Sequence, residues 1–133
     1  MTKKLLPFAL LLLLAASCQN NGYLGDLFGR WQLTSLETAT ETTTYDSIYY
    51  SFQGIIFEAR RINADYVNTV NFGEFTHHAD SINVRLYSTK AERIKATYKL
   101  TDTIDCFTVL ELNHRRMVLR SRQSDQIYTF IKY

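Results

Sequence analysis

The sequence predicts an all-β fold of eight or nine short antiparallel strands, arranged as a sandwich or as an up-and-down barrel. Three observations lead to this prediction. From about position 30 onward, apolar and polar residues alternate with a period of two, which is the side-chain period of a β-strand. Clusters of turn-forming residues separate the alternating segments at short intervals. The single proline, Pro7, lies before this part of the chain, so no proline interrupts a strand.

The first 17 residues have the pattern of a secretory signal peptide. Lys3 and Lys4 form a positive start, residues 5–14 are an apolar run broken only by Pro7, and residues 15–17 are small, as a cleavage site requires. The apolar run is too short for a helix that spans a bilayer. We therefore expect residues 1–17 to be removed on export.

The residue that follows this cleavage site is a cysteine. The segment Leu14-Ala15-Ala16-Ser17-Cys18 resembles the lipobox of bacterial lipoproteins, in which the cysteine is acylated and becomes the mature N-terminus. Acyl chains such as palmitate on Cys18 would hold the protein on a membrane, because each buried CH₂ group contributes about 0.8 kcal/mol.

Lipidation of Cys18 changes the interpretation of the other cysteine and of the net charge. Cys106 then has no disulfide partner within the chain, and we expect it to be a small buried residue on a strand. Removal of the signal peptide takes away Lys3 and Lys4, which leaves 13 of the 15 basic residues against 13 acidic ones. A formally neutral domain gives no indication of a nucleic-acid partner or of an electrostatic attraction to a membrane surface.

Residues 18–26 are predicted to be the lipidated cysteine and a tether, and residues 27–133 to be the folded domain. Asp26 and the apolar residues around it favour one short helical turn between positions 24 and 28. Trp31, Leu33 and Ser35 then share one face of the first strand. Residues 38–44 are rich in threonine and lack an apolar anchor, which predicts a loop or a frayed edge.

The clearest pair of strands follows this loop. One apolar face is predicted for Ile48, Tyr50, Phe52, Ile55, Phe57 and Ala59. Two geometries give this face. Gln53-Gly54 could be the two-residue turn of a hairpin, which would place Phe52 opposite Ile55. Alternatively, one long strand could bend at a bulge at Gly54. The alternation does not distinguish between the two.

The rest of the chain continues the pattern of strands and turns. Residues 60–65 are predicted to be a polar connection, and residues 66–77 to be a strand with a kink at Gly73. Residues 89–95 have a helical composition, sufficient for a single turn. Further strands are predicted at residues 82–87, 97–101, 106–112, 117–121 and 127–132, with turns at residues 79–81, 113–115 and 123–125.

The opening of the first strand carries a family resemblance. Gly29-Arg30-Trp31 resembles the Gly-x-Trp opening of lipocalin-like β-barrels, and the order and spacing of the later strands are similar to those of small lipocalin-like lipoproteins of Bacteroides-type bacteria. The resemblance covers residues 27–133. It implies an antiparallel up-and-down meander that closes into a small barrel of about eight strands, with a short N-terminal helical turn. The segments that carry it are Leu27-Phe28-Gly29-Arg30-Trp31-Gln32-Leu33, Asp46-Ser47-Ile48-Tyr49-Tyr50-Ser51-Phe52, Gly73-Glu74-Phe75-Thr76-His77 and Phe130-Ile131-Lys132-Tyr133.

The resemblance also implies how one end of the barrel is closed. In the lipocalin pattern, an arginine of a late strand lies over the tryptophan of the Gly-x-Trp opening, in a cation–π contact. In this sequence the tryptophan is Trp31, and both Arg120 and Arg122 lie in the expected region. The sequence does not choose between these two arginines.

A barrel of eight strands is either filled by side chains or just large enough for one small ligand. The residues predicted to line it are aromatic and aliphatic, and such residues suit an apolar pocket in which tyrosine hydroxyls orient a ligand. They would equally suit a filled core. The predicted lining comprises Trp31, Tyr50, Phe52, Phe57, Phe75, Leu86, Leu110 and Leu119, with Val84 beside them.

The sequence does not predict a reaction, a metal site or a cofactor. His77 and His78 are neighbours on a strand, so their rings point to opposite faces and cannot bind the same metal ion. Asp102 and Asp105 are predicted to lie in a turn without the apolar pocket that acid–base catalysis requires. No nucleophile elbow, zinc-peptidase helix or phosphate-binding glycine loop occurs in the sequence.

Two functions remain. The first is a membrane-anchored, non-enzymatic lipoprotein that binds a small apolar ligand. The alternative is a protein-interaction module with a filled barrel, an inhibitor or accessory subunit of an envelope complex, with Tyr49 and Tyr87 as exposed anchor residues. The resemblance implies attachment to the outer membrane. The absence of an acidic cluster after Cys18 favours the periplasmic face over the cell surface.

Overall fold

The computed structural model of the chain describes residues 22–133. The predicted signal peptide and the predicted lipid anchor at Cys18 lie outside the described residues. Within residues 22–133, a 3₁₀ helix (Gly22–Leu27) precedes nine strands and one α-helix, which confirms the predicted all-β class. No helix in this part of the chain is long and apolar enough to cross a bilayer. The elements are β1 (Gly29–Glu37), β2 (Thr42–Thr44), β3 (Ile48–Gln53), β4 (Ile56–Ile62), β5 (Asn68–His78), β6 (Ser81–Leu86), α1 (Ala91–Tyr98), β7 (Ile104–Leu112), β8 (Arg116–Ser121) and β9 (Ile127–Lys132).

The sheet closes on itself. Strands β1 and β3 to β9 are neighbours in sequence order, and β9 returns to pair antiparallel with β1, from Trp31 opposite Lys132 to Glu37 opposite Ile127. These strands form the predicted up-and-down barrel, which has no free edge once β9 is in place. The short β2 is an additional strand that pairs with β1 at residues 35–37, beyond the part of β1 that pairs with β3.

A bulge in β1 explains an irregularity in its sequence pattern. The register with β9 shifts between Leu33 and Ser35, so Thr34 is the extra residue. Because the bulge reverses the alternation, Leu36 turns into the barrel and is buried, although a regular strand would place it outside. Trp31 and Leu33, which precede the bulge, face inward as predicted.

Strands β3 and β4 form a hairpin, so the alternative of one bent strand is excluded. The two residues of the turn are Gly54-Ile55 rather than Gln53-Gly54, because Gln53 pairs with Ile56. Gly54 has a φ of +62°, and a type II′ turn requires a positive φ at its first central position. The turn therefore leaves Ile55 in solvent. Strand β4 also continues to Ile62, into the segment that was predicted to be a connection.

Strand β5 is 11 residues long, and Gly73 lies where it passes from pairing with β4 to pairing with β6. A Cβ atom at this position would lie 2.1 Å from the carbonyl oxygen of Arg85 and 2.7 Å from the Cα of Leu86. The backbones of β5 and β6 therefore approach too closely for any side chain. A glycine in a strand often marks such a close approach.

Helix α1 occupies a segment for which the sequence predicted only one helical turn and then a strand. The strand predicted at residues 97–101 does not form. The helix instead continues through Tyr98 and ends at Lys99, which has a left-handed φ of 66°. Ile94 and Tyr98 lie four positions apart and are both fully buried against the barrel. Burial of this face, more than intrinsic propensity, stabilises so short a helix.

The prediction for Leu110 is wrong, because the residues of β7 that face inward are Asp105, Phe107 and Val109, and a second bulge follows them. The register with β8 shifts between Val109 and Glu111, which makes Leu110 the extra residue. Its side chain is 46% exposed and does not line the barrel. On the same strand, Cys106 is half-buried, not buried as predicted, because its neighbours in the strand take the inward positions.

Candidate functional site

Side chains fill the interior of the barrel. Seven of the eight residues predicted to line it are at most 6% exposed, and Leu110 is the exception. The seven are Trp31, Tyr50, Phe52, Phe57, Phe75, Leu86 and Leu119. Other inward residues complete the same core: Leu33, Ile48, Ile82, Val84, Phe107, Met117, Tyr128 and Phe130.

The aromatic rings of this core contact one another. The ring of Tyr50 has its centroid 5.4 Å from that of Phe57 and 5.0 Å from that of Phe130. The rings of Phe52 and Phe75 are 5.0 Å apart and nearly perpendicular. These separations are typical of packed aromatic pairs. Protein side chains therefore occupy the centre of the barrel, where a ligand carrier would have its pocket.

Trp31 and the 3₁₀ helix close one end of the barrel. The indole Nε1 of Trp31 donates a hydrogen bond to the carbonyl oxygen of Leu27 at 3.0 Å, and Leu27 is fully buried. The Nζ of Lys132 lies 4.4 Å from the centroid of the Trp31 ring and donates to the carbonyl oxygens of Asp26, at 3.3 Å, and of Phe28. Partial burial lowers the pKa of Lys132.

The cation over Trp31 is thus Lys132, and neither Arg120 nor Arg122 takes the place that the family resemblance implied. Closure of the barrel sets Lys132 directly opposite Trp31. Arg120 instead pairs with Ile127, at the other end of β9, and its side chain is exposed. Arg122 is also exposed, in the turn that follows β8.

Two buried tyrosines hold the end of α1 on the opposite end of the barrel. The hydroxyl of Tyr50 donates to the carbonyl oxygen of Tyr98 at 2.7 Å, and the hydroxyl of Tyr128 donates to that of Lys99 at 2.6 Å. Burial raises the pKa of Tyr50 and of Tyr128, so both hydroxyls remain protonated donors. Both hydroxyls therefore bind carbonyl groups at the end of α1 and are not free to orient a ligand.

A buried carboxyl group lies near these tyrosines, contrary to the prediction of a turn residue. Asp105 is the second residue of β7 and is fully buried. Its Oδ1 accepts a hydrogen bond from Ser121 Oγ at 2.7 Å, and its Oδ2 accepts one from the backbone N–H of Thr101 at 2.8 Å. Burial raises the pKa of Asp105, and these hydrogen bonds offset part of that effect.

The burial of Asp105 makes stability depend on pH in a defined direction. Because its folded-state pKa lies above the ordinary value of 3.8, the unfolded chain loses this proton first as the pH rises. The stabilisation from burying the neutral carboxyl is therefore complete below that ordinary value and is lost as the pH rises through the folded-state pKa. We expect the free energy of unfolding of the wild type to fall, relative to that of Asp105→Asn, as the pH in a series of urea titrations rises above 3.8.

Asp102→Asn is the matched control for this pH dependence, because Asp102 is exposed and accepts hydrogen bonds from the adjacent Thr103. Its difference from the wild type should not follow the same pH trend. If the difference in free energy of unfolding between wild type and Asp105→Asn stayed constant as the pH rose, or changed in favour of the wild type, Asp105 would not be a carboxyl group buried in its neutral form.

The outer surface of strands β4 to β7 carries exposed apolar side chains. A shallow groove of about 390 Å³ lies between Ile55 and Ile104, which are 61% and 48% exposed. The ion pair of Arg85 and Glu74, with a nitrogen–oxygen distance of 2.5 Å, lies in this groove. Exposed apolar groups in a groove are a common feature of surfaces that bind other molecules.

Further apolar residues continue this surface along the strands. Phe72 and Tyr87 are cross-strand neighbours, joined by a 3.0 Å hydrogen bond from the Tyr87 nitrogen to the Phe72 carbonyl oxygen, and both are more than half exposed. Ile56 is 40% exposed. Tyr49, which was predicted to be exposed, is only 8% exposed and packs on Tyr133 at 5.1 Å. We refer to Ile55, Ile56, Phe72, Tyr87 and Ile104 together as the outer apolar face.

The histidines of β5 do not form a cluster. His77 Nε2 lies 3.1 Å from the carbonyl oxygen of Ala79, whereas the side chain of His78 is exposed. Among residues 22–133, no group of three or more His, Cys, Asp or Glu residues is arranged to hold a metal ion.

Several residues of the core and of the two closed ends were not singled out from the sequence. The alternation in residues 127–132 could have identified Tyr128 and Phe130 as inward residues, because both lie on the same apolar face of that predicted strand. The four-residue spacing of Ile94 and Tyr98 similarly indicates a helix face. Lys132 is different, because its place over Trp31 follows only from closure of the barrel.

The comparisons with known proteins agree with this architecture. The chain matches the lipocalin-like domain family over residues 11–133. It is similar to a lipocalin-like protein from Bacteroides uniformis ATCC 8492, with 25% identity and a TM-score of 0.73 over 82% of this chain and 100% of that chain. It is also similar to an uncharacterized protein from Bacteroides eggerthii DSM 20697, with 24% identity and a TM-score of 0.72 over 80% of this chain and 99% of that chain. No curated protein sequence matches the chain.

Proposed function

The chain belongs to the lipocalin-like domain family, and from that premise we propose that it is a non-enzymatic, lipid-anchored envelope protein with a filled barrel. In this proposal the barrel is a rigid scaffold that presents its outer surface to a protein partner, as an inhibitor or accessory subunit would. The interior then contributes stability and holds no ligand.

The observation that carries this proposal is the packing of the barrel interior. Fully buried aromatic rings lie about 5 Å from one another at its centre. The hydroxyls of Tyr50 and Tyr128 are bound to carbonyl groups of the chain itself. A small apolar ligand could enter only by displacing these side chains, which would leave buried hydroxyls or carbonyl groups without partners.

The anchor and the location rest on the N-terminal sequence. The lipobox-like segment that ends at Cys18 favours acylation, and the 3₁₀ helix that precedes the barrel begins at Gly22. The outer-membrane location follows from the resemblance of the processed sequence to small lipocalin-like lipoproteins of Bacteroides-type bacteria. The polar residues after Cys18, which include no acidic cluster, favour the periplasmic face.

The outer apolar face supports the interaction role. Its side chains come from β4, β5 and β7, from the β3–β4 turn and from the residue that follows β6. The ion pair of Glu74 and Arg85 lies between Ile56 and Ile104, so the surface combines apolar and charged groups on a rigid sheet. Tyrosine and other large apolar residues supply much of the binding energy at protein interfaces. In this proposal Tyr87 is an anchor residue, as predicted, and Tyr49 contributes to packing instead.

A titration with apolar probes tests whether the barrel is filled. Soluble protein of residues 19–133, stripped of lipid, should show no saturable binding of an environment-sensitive apolar fluorophore, and benzene should not raise its melting temperature. The cavity variant Phe57→Ala is the positive control, because removing a fully buried ring leaves an apolar space of the kind that binds benzene. Saturable binding to the wild type that fatty acids compete away would instead make this protein a ligand carrier.

Photo-crosslinking in the native envelope tests the interaction role. A photoreactive phenylalanine in place of Tyr87 is expected to give a discrete crosslinked band. The same group at Tyr66, an 86% exposed residue of the β4–β5 loop, is the matched control and should give none. Equal labelling from both positions, or none from Tyr87, would count against the outer apolar face.

A further inference from the structure

The chain enters the barrel at a fixed point. The 3₁₀ helix that precedes β1 is held by the hydrogen bond from Trp31 to Leu27 and by the hydrogen bonds from Lys132 to Asp26 and Phe28. Because these bonds join the helix to strands β1 and β9, the tether leaves the barrel from one end. We call this the anchor end; it is opposite the end that α1 covers.

The tether that we propose is short. Cys18 and the first residue of the 3₁₀ helix, Gly22, are four positions apart. Even a fully extended chain spans at most about 3.6 Å per residue, so four residues reach roughly 14 Å. An acyl group on Cys18 would therefore hold the anchor end close to the lipid headgroups.

The surface of the anchor end has the composition of a membrane-facing surface. Tyr133 is 70% exposed, and the guanidinium of Arg30 lies 5.8 Å from the centroid of its ring. Arg115 is exposed in the adjacent β7–β8 turn, and Arg116, the exposed first residue of β8, forms an ion pair with Glu111 at 3.4 Å. Phe28 is 38% exposed beside the helix. Tyrosine rings suit the boundary between water and lipid, and arginines are attracted to anionic headgroups.

At the opposite end of β1, the surface carries exposed carboxylates. Glu37, Glu41 and Asp46 are all exposed in the segment that connects β1, β2 and β3. An anionic lipid surface would repel these carboxylates. Helix α1 and its N-cap at this end carry exposed Lys90, Arg93 and Lys95, and Asp80 is exposed at the anchor end, so it is the tether and not the charge that selects the end facing the membrane.

We propose that the anchor end of the barrel lies on the membrane that holds its lipid anchor, with Tyr133 and Arg115 of the β7–β8 turn at the headgroups. This inference rests on the proposed acylation of Cys18. It makes the lipid bilayer a second binding partner of the folded domain, beyond the acyl chains themselves. The α1 end then points away from the bilayer, and Phe72, Tyr87 and Ile104 of the outer apolar face are open to a protein partner. Ile55 lies in the β3–β4 turn, at the anchor end.

A fluorescence-quenching experiment on the full, processed lipoprotein tests this orientation. In a Cys106→Ser background, Tyr133→Cys and Tyr66→Cys each carry a bimane label, and the protein is reconstituted into vesicles of phosphatidylethanolamine and phosphatidylglycerol with nitroxide-labelled headgroups. We expect quenching of bimane at position 133 to be several-fold stronger than at position 66. Both sites are highly exposed tyrosines, so they differ mainly in the end of the barrel at which they lie.

The mass of the purified protein separates failure of this inference from failure of the proposed function. If Cys18 carries acyl chains and quenching is equal at both sites or stronger at position 66, the membrane-facing role of the anchor end is overturned and the lipid anchor stands. If the mass shows no acylation at Cys18, the proposed lipoprotein and this orientation both fail.

Discussion

Replacing Trp31 with alanine is expected to lower the free energy of unfolding by about 3–5 kcal/mol, the range found when a large aromatic residue is removed from a core. Three contacts are lost together: the packing of a fully buried ring, the hydrogen bond to Leu27 and the cation–π contact with Lys132. The effect should therefore lie near the upper end of this range. Urea titration followed by far-UV circular dichroism measures it, because Trp31 is the chain's one tryptophan and its fluorescence disappears with the substitution.

Two further substitutions identify the source of this loss. Trp31→Phe retains an aromatic ring but leaves the buried carbonyl group of Leu27 without its donor, and should cost about 1–3 kcal/mol. Tyr133→Ala removes an exposed aromatic residue from the same end of the barrel and should change stability by no more than about 0.5 kcal/mol. If Trp31→Ala were no more destabilising than Tyr133→Ala, Trp31 would not be closing the barrel.

Replacing Gly73 with alanine should be nearly as damaging, although it adds only one methyl group. Nothing in the chain can move easily to make room, because the nearest atoms belong to the backbone of Arg85 and Leu86 in the paired strand β6. We expect a loss of about 3 kcal/mol, the upper end of the usual cost of overpacking, with local separation of β5 from β6. Urea titration gives the loss of stability, and amide hydrogen exchange in β5 and β6 locates it.

Gly54→Ala is the matched control for this prediction. Gly54 has a positive φ but no atom within 4 Å of an added Cβ, so the substitution introduces conformational strain without a clash. Its expected cost is about 1–2 kcal/mol, with no change in exchange across β5 and β6. A smaller loss for Gly73→Ala than for Gly54→Ala would show that the contact between β5 and β6 is not tight.

The strands and their inward faces could be predicted because the signal for both is local. Alternation alone identified Tyr50, Phe52, Phe57 and Leu119 as inward residues, and all four are buried. The Gly-x-Trp opening at Trp31 and the spacing of the later strands carried the family resemblance. In a closed barrel the same alternation occurs in every strand, because each strand has one buried face and one solvent face.

The errors arise where one residue shifts the register. A bulge at Thr34 buries Leu36, because one extra residue reverses the alternation that follows it. In β7 the inward residues before the bulge are Asp105, Phe107 and Val109, so Leu110 lies outside, and the bulge at Leu110 turns Leu112 towards the core. Neither position has a glycine or proline that would indicate the interruption. The hairpin turn at Gly54-Ile55 also differs from the predicted turn by a single residue, although β3 and β4 pair in a regular register without a bulge.

The candidate site was harder to predict, since its important contacts join distant parts of the chain. Asp105 is buried because Ser121, on the next strand, and Thr101, in the preceding loop, supply its hydrogen bonds. Lys132 reaches Trp31 only after β9 has paired with β1. Charged residues are rarely buried, so a prediction from sequence assigns a charged residue of a strand to the solvent face. No local pattern marks Asp105 or Lys132 as an exception.

The pairing of the first and last strands has a consequence for biogenesis. Strand β1 forms part of its ladder with β9, and the backbone nitrogen of Tyr133 donates to the carbonyl oxygen of Arg30 at 3.0 Å. Contacts between such distant segments make folding slow, because most of the chain must be ordered before they form. A chain exported from its N-terminus would present β1 as an unpaired edge until β9 had also crossed the membrane. Such an edge can pair with other chains. For the exported lipoprotein that we propose, the interval between translocation and closure of the barrel would therefore be the stage of greatest exposure to aggregation.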